Sequence, residues 1–134
     1  MAKVSDIEGI GPAYAAKLEQ AGISTLNALL RNCCEKKGRQ EVSKKAGIGE
    51  STILAWVNKA DLTRIKGVST QYADLLEVAG VDSVPELAQR NPENLTAKMA
   101  EVNADKNLVR RVPAASRVED WVAQAKKLPK VVKH

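Results

Sequence analysis

One short stretch near the start of the chain joins a turn-forming sequence to the start of a helix. Gly9-Ile10-Gly11 places two glycines around one apolar residue, and Pro12 follows at once. Glycine allows backbone conformations with positive φ, and proline suits the first turn of a helix because the N–H it lacks would have no partner there. The stretch therefore predicts backbone N–H groups at a helix N-terminus, which attracts anions such as phosphate. The same glycines would also suit a tight turn that binds nothing.

The sequence contains no arrangement of side chains typical of catalysis. The single histidine is the last residue, there is no Walker-type loop, and the carboxylates lack metal-ligand spacing. Cys33 and Cys34 are adjacent, which strains a disulfide between them, and two ligands are too few for a structural zinc site. The sequence therefore predicts a protein that is not an enzyme, has no cofactor or metal, and keeps two reduced thiols.

Composition favours a soluble protein made of helices. The chain has 134 residues, 44% of them hydrophobic but only 3% aromatic and none of them Phe, so Leu, Val, Ile and Ala must build the core. No Asn-Gly or Asp-Gly hairpin between alternating β-branched residues is present. Signal-peptide and membrane-span patterns are also absent. We expect an all-α, cytoplasmic protein with no membrane partner.

An internal repeat organises the chain and appears at a shift of 58 positions. The identical pairs are Ile7 and Ile65, Gly9 and Gly67, Tyr14 and Tyr72, Ala15 and Ala73, Leu18 and Leu76, Glu19 and Glu77, Ala21 and Ala79, Gly22 and Gly80, and Leu29 and Leu87. Fixed-period self-similarity indicates one structural unit used twice. We expect a first unit over residues 1–60, a second over 61–129 and a frayed basic tail over 130–134.

Apolar spacing predicts four helices in each unit. In the first unit they cover 12–21, 24–33 with Ser24 as cap, 40–46 after a charged turn at 36–39, and a helix through Trp56 that Ser51 caps. Gly22 ends the first helix, and Gly47-Ile48-Gly49 is a second turn of the first kind. In the second unit they cover 70–79, 82–90, 93–102 and 117–128. There a glycine-free turn is expected at 102–105, Ser116 is the expected cap, and about seven residues are inserted between Asn103 and Ser116.

Charge is distributed unevenly along the chain. The formal net charge is +5, with +3 over residues 1–60, −4 over 61–105 and +6 over 106–134. A basic surface is compatible with a polyanionic partner but does not prove one. The acidic middle segment would repel a polyanion, so we expect weaker phosphate binding by the second unit.

The repeated pattern of Gly-Ile-Gly, Pro-Ala-Tyr-Ala-Ala-Lys-Leu and Ala-Gly-Ile-Ser-Thr resembles the helix-hairpin-helix motif of DNA repair and replication proteins. Over residues 4–129 the chain resembles an uncharacterised family of bacterial tandem helix-hairpin-helix proteins. The resemblance implies an all-α fold of two tandem (helix-hairpin-helix)2 units, packed as a pseudo-repeat in a SAM-like architecture. It implies no established activity.

The resemblance also implies a site, because such hairpins offer backbone amides to DNA phosphates, usually without reading bases. Carried onto this chain, the nucleic-acid-binding positions are Gly9, Ile10, Gly11, Lys17, Lys44, Lys45, Gly47, Ile48, Gly49, Ser51 and Thr52. The central isoleucines should be buried, as should the rings of Tyr14, Tyr72, Trp56 and Trp121. Duplex DNA is the expected partner. The alternative is a protein-interaction or scaffold module whose acidic second half binds another protein, because Ser69 replaces a hairpin glycine there.

Overall fold

The computed structural model describes residues 3–7 and 10–133, and this part of the chain is all-α as predicted. Its helices are α1 (Pro12–Gln20), α2 (Leu26–Cys33), α3 (Lys36–Ala46), α4 (Glu50–Leu62), α5 (Thr70–Val78), α6 (Val84–Ala88), α7 (Pro92–Lys106) and α8 (Ala115–Lys127). A 3-10 helix, Val4–Asp6, precedes them. Among the described residues, β-pairing is limited to an isolated antiparallel bridge between Lys3 and Thr25.

The chain forms two compact units, each with its own core. Unit 1 consists of Met1–Asp61 with Val131–His134, and unit 2 of Leu62–Lys130. Each core is built from Leu, Val, Ile and Ala around one tryptophan, as the composition predicts. Trp56 is 5% exposed in unit 1 and Trp121 is 1% exposed in unit 2. In unit 1, α3 packs against α1 and α2; in unit 2, α7 packs against α5 and α8, and α8 against α6.

The repeat found in the sequence is also present in the backbone. The bounds of α5 lie 58 positions after those of α1, and the bounds of α8 lie 65 positions after those of α4. Helices α1 and α5 end in the same way. Gly22 and Gly80 adopt positive φ, and the next N–H, of Ile23 or Val81, donates to the carbonyl five residues back at 2.8 Å. This Schellman arrangement requires the left-handed conformation that glycine adopts easily.

Two predicted boundaries in unit 2 are wrong. Helix α7 continues through the turn expected at 102–105 and ends at Lys106, and its C-cap Asn107 has φ 51°. The Asn103 side chain holds this turn, since its amide donates to the Val109 carbonyl and its oxygen accepts from the Val109 N–H. Helix α8 begins at Ala115 with Ala114 as N-cap, so Ser116 is not the cap. The fourth turn therefore lies at 107–109, five residues later than expected.

Two caps predicted in unit 1 are also misplaced. Thr25, not Ser24, caps α2, since its side-chain oxygen accepts from the Ala28 N–H at 3.1 Å. Ser51 lies inside α4, which begins at Glu50.

The segment expected as a charged turn at 36–39 belongs to α3, and its arginine is structural. Arg39 is 3% exposed and donates to the carbonyls of Cys33, Cys34 and Lys133. A cation is favourable at the Cys33 and Cys34 carbonyls because they lie at the negative end of the α2 dipole. The Lys133 N–H donates back to the Cys34 carbonyl at 2.7 Å, and Val132 is buried in the unit 1 core. Residues 131–133 are therefore docked, and the predicted fraying of the tail is wrong for them.

Gly38 tests the packing of α3. A Cβ at this position would lie 1.9 Å from the backbone oxygen of Asn32, so Gly38→Ala forces the end of α2 away from α3. Helix propensity alone predicts about 1 kcal/mol of stabilisation for this change, whereas forced overpacking costs about 1–3 kcal/mol. We expect a net loss of unfolding free energy, measured by chemical denaturation.

Gln40→Ala is the control, because Gln40 is exposed on the same helix and the change creates no close contact. A Gly38→Ala variant as stable as this control would show that the close approach of Gly38 to Asn32 does not limit the packing.

Candidate nucleic-acid interface

The first candidate turn leads into a helix N-terminus that has no side-chain cap. Gly11 is the N-cap of α1, with extended backbone at φ −79° and ψ 179°, and Pro12 follows it. The first helical hydrogen bond joins the Ala15 N–H to the Gly11 carbonyl at 2.9 Å. The N–H groups of Ala13 and Tyr14 therefore lie in the first turn, where the helix itself offers them no partner. Of the predicted turn, Ile10 is buried as expected and Gly9 lies outside the described residues.

The second candidate turn has a related form with one difference in charge. Gly47 adopts φ 69°, Ile48 is buried as expected, and the Ser43 hydroxyl donates to the Ile48 carbonyl. Gly49 then leads into α4, where the Ile53 N–H donates to the Gly49 carbonyl at 3.1 Å. The exposed first turn of α4 contains Glu50, Ser51 and Thr52. Its carboxylate suits the helix dipole but repels a second anion. The first turn of α1 contains no acidic residue.

The glycines of these turns fall into two classes. Gly47 is required by its positive φ. Gly11 and Gly49 have no such requirement, since among the described residues a Cβ at Gly11 meets nothing within 4 Å and a Cβ at Gly49 meets only the Thr52 hydroxyl at 3.8 Å. The fold therefore explains Gly47 but leaves the missing side chains of Gly11 and Gly49 without a packing reason.

Unit 2 provides an internal comparison for Gly11. Ser69, 58 positions later, has φ −81° and ψ 173°, nearly the backbone conformation of Gly11. Its hydroxyl accepts a hydrogen bond from the Tyr72 N–H at 3.3 Å. A side chain therefore fits this backbone, and in unit 2 it occupies an amide that unit 1 leaves uncapped. Ala114, 65 positions after Gly49, likewise has extended backbone at the N-cap of α8, with φ −67° and ψ 155°.

The side chains predicted to assist are on the surface. Lys17 is exposed, and its Nζ lies 5.7 Å from the centroid of the Tyr14 ring. Lys44 and Lys45 are exposed in the last turn of α3, just before the second turn. Tyr14 corrects the prediction of a buried ring. One edge of the ring packs on Trp56, with centroids 5.3 Å apart, but the residue is 41% exposed.

Sequence reasoning missed one cation at the corresponding place in unit 2. The guanidinium of Arg117 lies 5.6 Å from the centroid of the Tyr72 ring and 5.7 Å from that of Trp121. Arg117 precedes Trp121 by four residues, and neighbours at this spacing face each other on a helix. The four-residue spacing of Arg117 and Trp121 is the sequence feature that predicts this contact.

The two cysteines differ in exposure. Cys33 is fully buried, and burial raises the pKa of its thiol to about 11, against a weaker lowering by Arg39. Cys34 is partly exposed, and its thiol lies 3.7 Å from the Arg31 carbonyl. Within the described part of the chain, no three His, Cys, Asp or Glu side chains come together as metal ligands.

Comparison with known proteins identifies a family whose function is unknown. The family model described as Domain of unknown function (DUF4332) matches residues 8–128. The searches of curated proteins and of solved structures gave no significant match. None of the helices among residues 3–7 and 10–133 combines the length and the apolar character that a bilayer span requires.

Alkylation distinguishes the two thiols. The thiolate is the reactive form, so burial and a pKa near 11 protect Cys33 at pH 8. We expect iodoacetamide to modify Cys34 in the folded chain and Cys33 only in denaturant, as read by peptide mass spectrometry. Modification of Cys33 at the rate of Cys34 under native conditions would contradict the burial.

Proposed function

This chain belongs to the DUF4332 family of domains of unknown function, and we propose that it is a module that binds duplex DNA without reading base sequence. In this proposal the two units are built from helix-hairpin-helix motifs, and the turns of unit 1 hold backbone phosphates. The observation that carries the proposal is Gly11, a glycine that neither φ nor packing against the described residues requires, at a helix N-terminus where the N-cap residue has no side chain to bond the first amides.

The N-terminus of α1 is the stronger of the two contacts. Backbone N–H groups of a first helical turn and the positive end of the dipole together favour a phosphate. A residue without a side chain at Gly11 lets the phosphate oxygens approach these amides, and no acidic residue of the first turn opposes them. Lys17, one turn further along α1, supplies an exposed positive charge.

The N-terminus of α4 is the weaker contact, because Glu50 stands in its first turn. Lys44 and Lys45 at the end of α3 oppose that negative charge. Unit 1 as a whole has ten Lys and Arg residues against seven Asp and Glu. The proposal therefore assigns affinity to phosphate contacts, which fix position on the duplex but carry no sequence information. Such binding weakens steeply as salt rises.

Serine substitutions test the role of the glycines. Gly11→Ser together with Gly49→Ser gives unit 1 the residue type that unit 2 has at Ser69, where the hydroxyl takes the amide. Hydrogen bonds to charged groups contribute about 1.5–3 kcal/mol, so we expect affinity for a fluorescent 20-bp duplex to fall about 10-fold. Exchange of Gly for Ser at an N-cap changes stability by only a few tenths of a kcal/mol. Fluorescence anisotropy across a salt series and thermal unfolding measure the two effects.

Ala16→Ser, an exposed change in the middle of α1, is the matched control and should bind like the wild type. A folded double variant that binds as tightly as the wild type would make the turn mechanism wrong. Failure of the wild type to bind duplex at low salt would make the proposed function wrong and would favour the protein-interaction alternative.

Glu50→Gln provides a test with the opposite sign. Removal of the carboxylate from the first turn of α4 eliminates repulsion of a phosphate there, so we expect duplex affinity to rise about 2- to 5-fold at low salt. The same change should lower thermal stability slightly, because an acidic residue at this position favours the helix dipole. Glu19→Gln, which removes an exposed carboxylate near the other end of α1, is the control for net charge. An equal gain from both variants would contradict a phosphate at α4.

A further inference from the structure

Cationic side chains surround the aromatic pair of unit 2. The Tyr72 and Trp121 rings have centroids 5.3 Å apart, and the guanidinium of Arg117 lies within 6 Å of both. Lys66 and Ser116 line a surface cleft of about 610 Å³ together with Arg117. Tyr72 lines a second cleft, of about 320 Å³, with Arg110 and Arg111. We call Lys66, Arg110, Arg111 and Arg117 the arginine patch.

Arg117 is held in position while most of its donors stay available. Cation–π contact with two aromatic rings restrains the position of the guanidinium. Its hydrogen bond to the Gly67 carbonyl, at 3.4 Å, involves one of the five N–H donors of an arginine. A planar guanidinium with available donors matches the geometry of phosphate, which it can bind through two parallel hydrogen bonds.

The loop that contains the other two arginines is tied to the same aromatic pair. The Tyr72 hydroxyl donates to the Arg111 carbonyl at 3.1 Å, so the backbone at Arg111 is fixed. Both arginine side chains remain exposed. This loop follows the turn at 107–109 and contains most of the residues that unit 2 has gained relative to unit 1.

The patch is positive although unit 2 includes the acidic segment 61–105. Among the described residues, Asp120 is the single carboxylate that lines either cleft, and it accepts a hydrogen bond from the Gln124 amide at 2.8 Å. Unit 2 as a whole has eleven Lys and Arg residues against nine Asp and Glu. The expectation that an acidic second half repels a polyanion therefore does not describe this surface, where Lys66 lies beside Arg117.

We propose that the arginine patch is a second phosphate-binding surface, which holds a nucleic-acid strand through side chains instead of backbone amides. Two clefts around one aromatic pair fit a ligand with several phosphates in sequence, rather than one small anion. In unit 2 the Ser69 hydroxyl already accepts from the Tyr72 N–H at the start of α5, so this amide is not available to a phosphate as it is in α1. The patch provides positive charge for phosphate in unit 2 instead. This inference rests on the proposed function and extends it to unit 2.

Charge-matched variants of the full chain test the patch. Arg117→Gln removes the guanidinium that contacts both rings. Arg110→Gln with Arg111→Gln removes two exposed charges away from the rings, so a folding defect in the first variant leaves the second informative. Lys126→Gln with Lys127→Gln is the control, because these exposed residues of α8 line neither cleft. We expect each patch variant to bind duplex DNA about 10-fold more weakly and the salt slope to fall by about 0.9 for each phosphate that the variant no longer neutralises. The control should stay within 2-fold of the wild type. Patch variants that bind like the control would overturn the inference.

Two-dimensional NMR of the 15N-labelled chain with a 12-bp duplex separates the two surfaces. We expect shifts at Gly67 and at the Trp121 indole N–H together with shifts at Ala13 and Tyr14. Shifts confined to α1 would overturn the patch and leave the proposed function intact. Shifts confined to unit 2 would support the patch and contradict the phosphate contacts proposed for the turns of unit 1. No shift at either surface would overturn both.

Inorganic phosphate distinguishes the source of the phosphate group. We expect it to shift the Trp121 indole signal only at millimolar concentration, about 100-fold or more above the duplex concentration required. Equal potency of inorganic phosphate would overturn the assignment to a nucleic-acid strand.

Discussion

The contact between one tyrosine and one tryptophan joins the first helix of each unit to its last helix. Tyr14 of α1 packs on Trp56 of α4, and Tyr72 of α5 packs on Trp121 of α8, both with ring centroids 5.3 Å apart. In a core without phenylalanine, these are the aromatic pairs that join the first helix of a unit to its last. Each tyrosine lies in the first turn of its helix, so the contact also positions the helix start that follows the turn. A cation lies over the tyrosine ring in both units, supplied by Lys17 in one and Arg117 in the other.

Although both units share this aromatic contact, they differ in the groups they offer to an anion. At Gly11 and Ser69 the backbone is nearly the same, but the serine hydroxyl occupies an amide that the glycine leaves uncapped. In the proposed function, unit 1 relies on backbone donors, which are fixed and read no base, whereas unit 2 relies on arginine side chains around its aromatic pair. Both modes weaken with salt, because both neutralise phosphate charge.

Local rules predicted much of the fold. The helix after Pro12 and the helix end at Gly22 follow from interactions within a few residues, and the structure confirms them. The repeat read from the sequence is also confirmed for α1 and α5, whose bounds differ by 58 positions. The predictions failed where distant residues decide. Arg39 is buried because carbonyls of α2 and of Lys133 surround its guanidinium, and residues 131–133 dock for the same reason. Helix α7 runs past its expected end because the turn lies further along, where the Asn103 side chain bonds both the N–H and the carbonyl of Val109.

Residue types and spacing alone indicate the all-α class, the repeat and the glycine turns, since helix propensity, caps and turn conformations are properties of short segments. The tertiary structure decided which of those glycines the fold requires, since that depends on φ at Gly47 and on the open space around Gly11. It also decided where charge accumulates. Arg117 is 51 positions after Lys66 in the sequence, yet both line one cleft, because α8 packs into the core of unit 2 beside the start of α5. Electrostatic potential depends on distance in space, so a count of charges along the chain could not predict this surface.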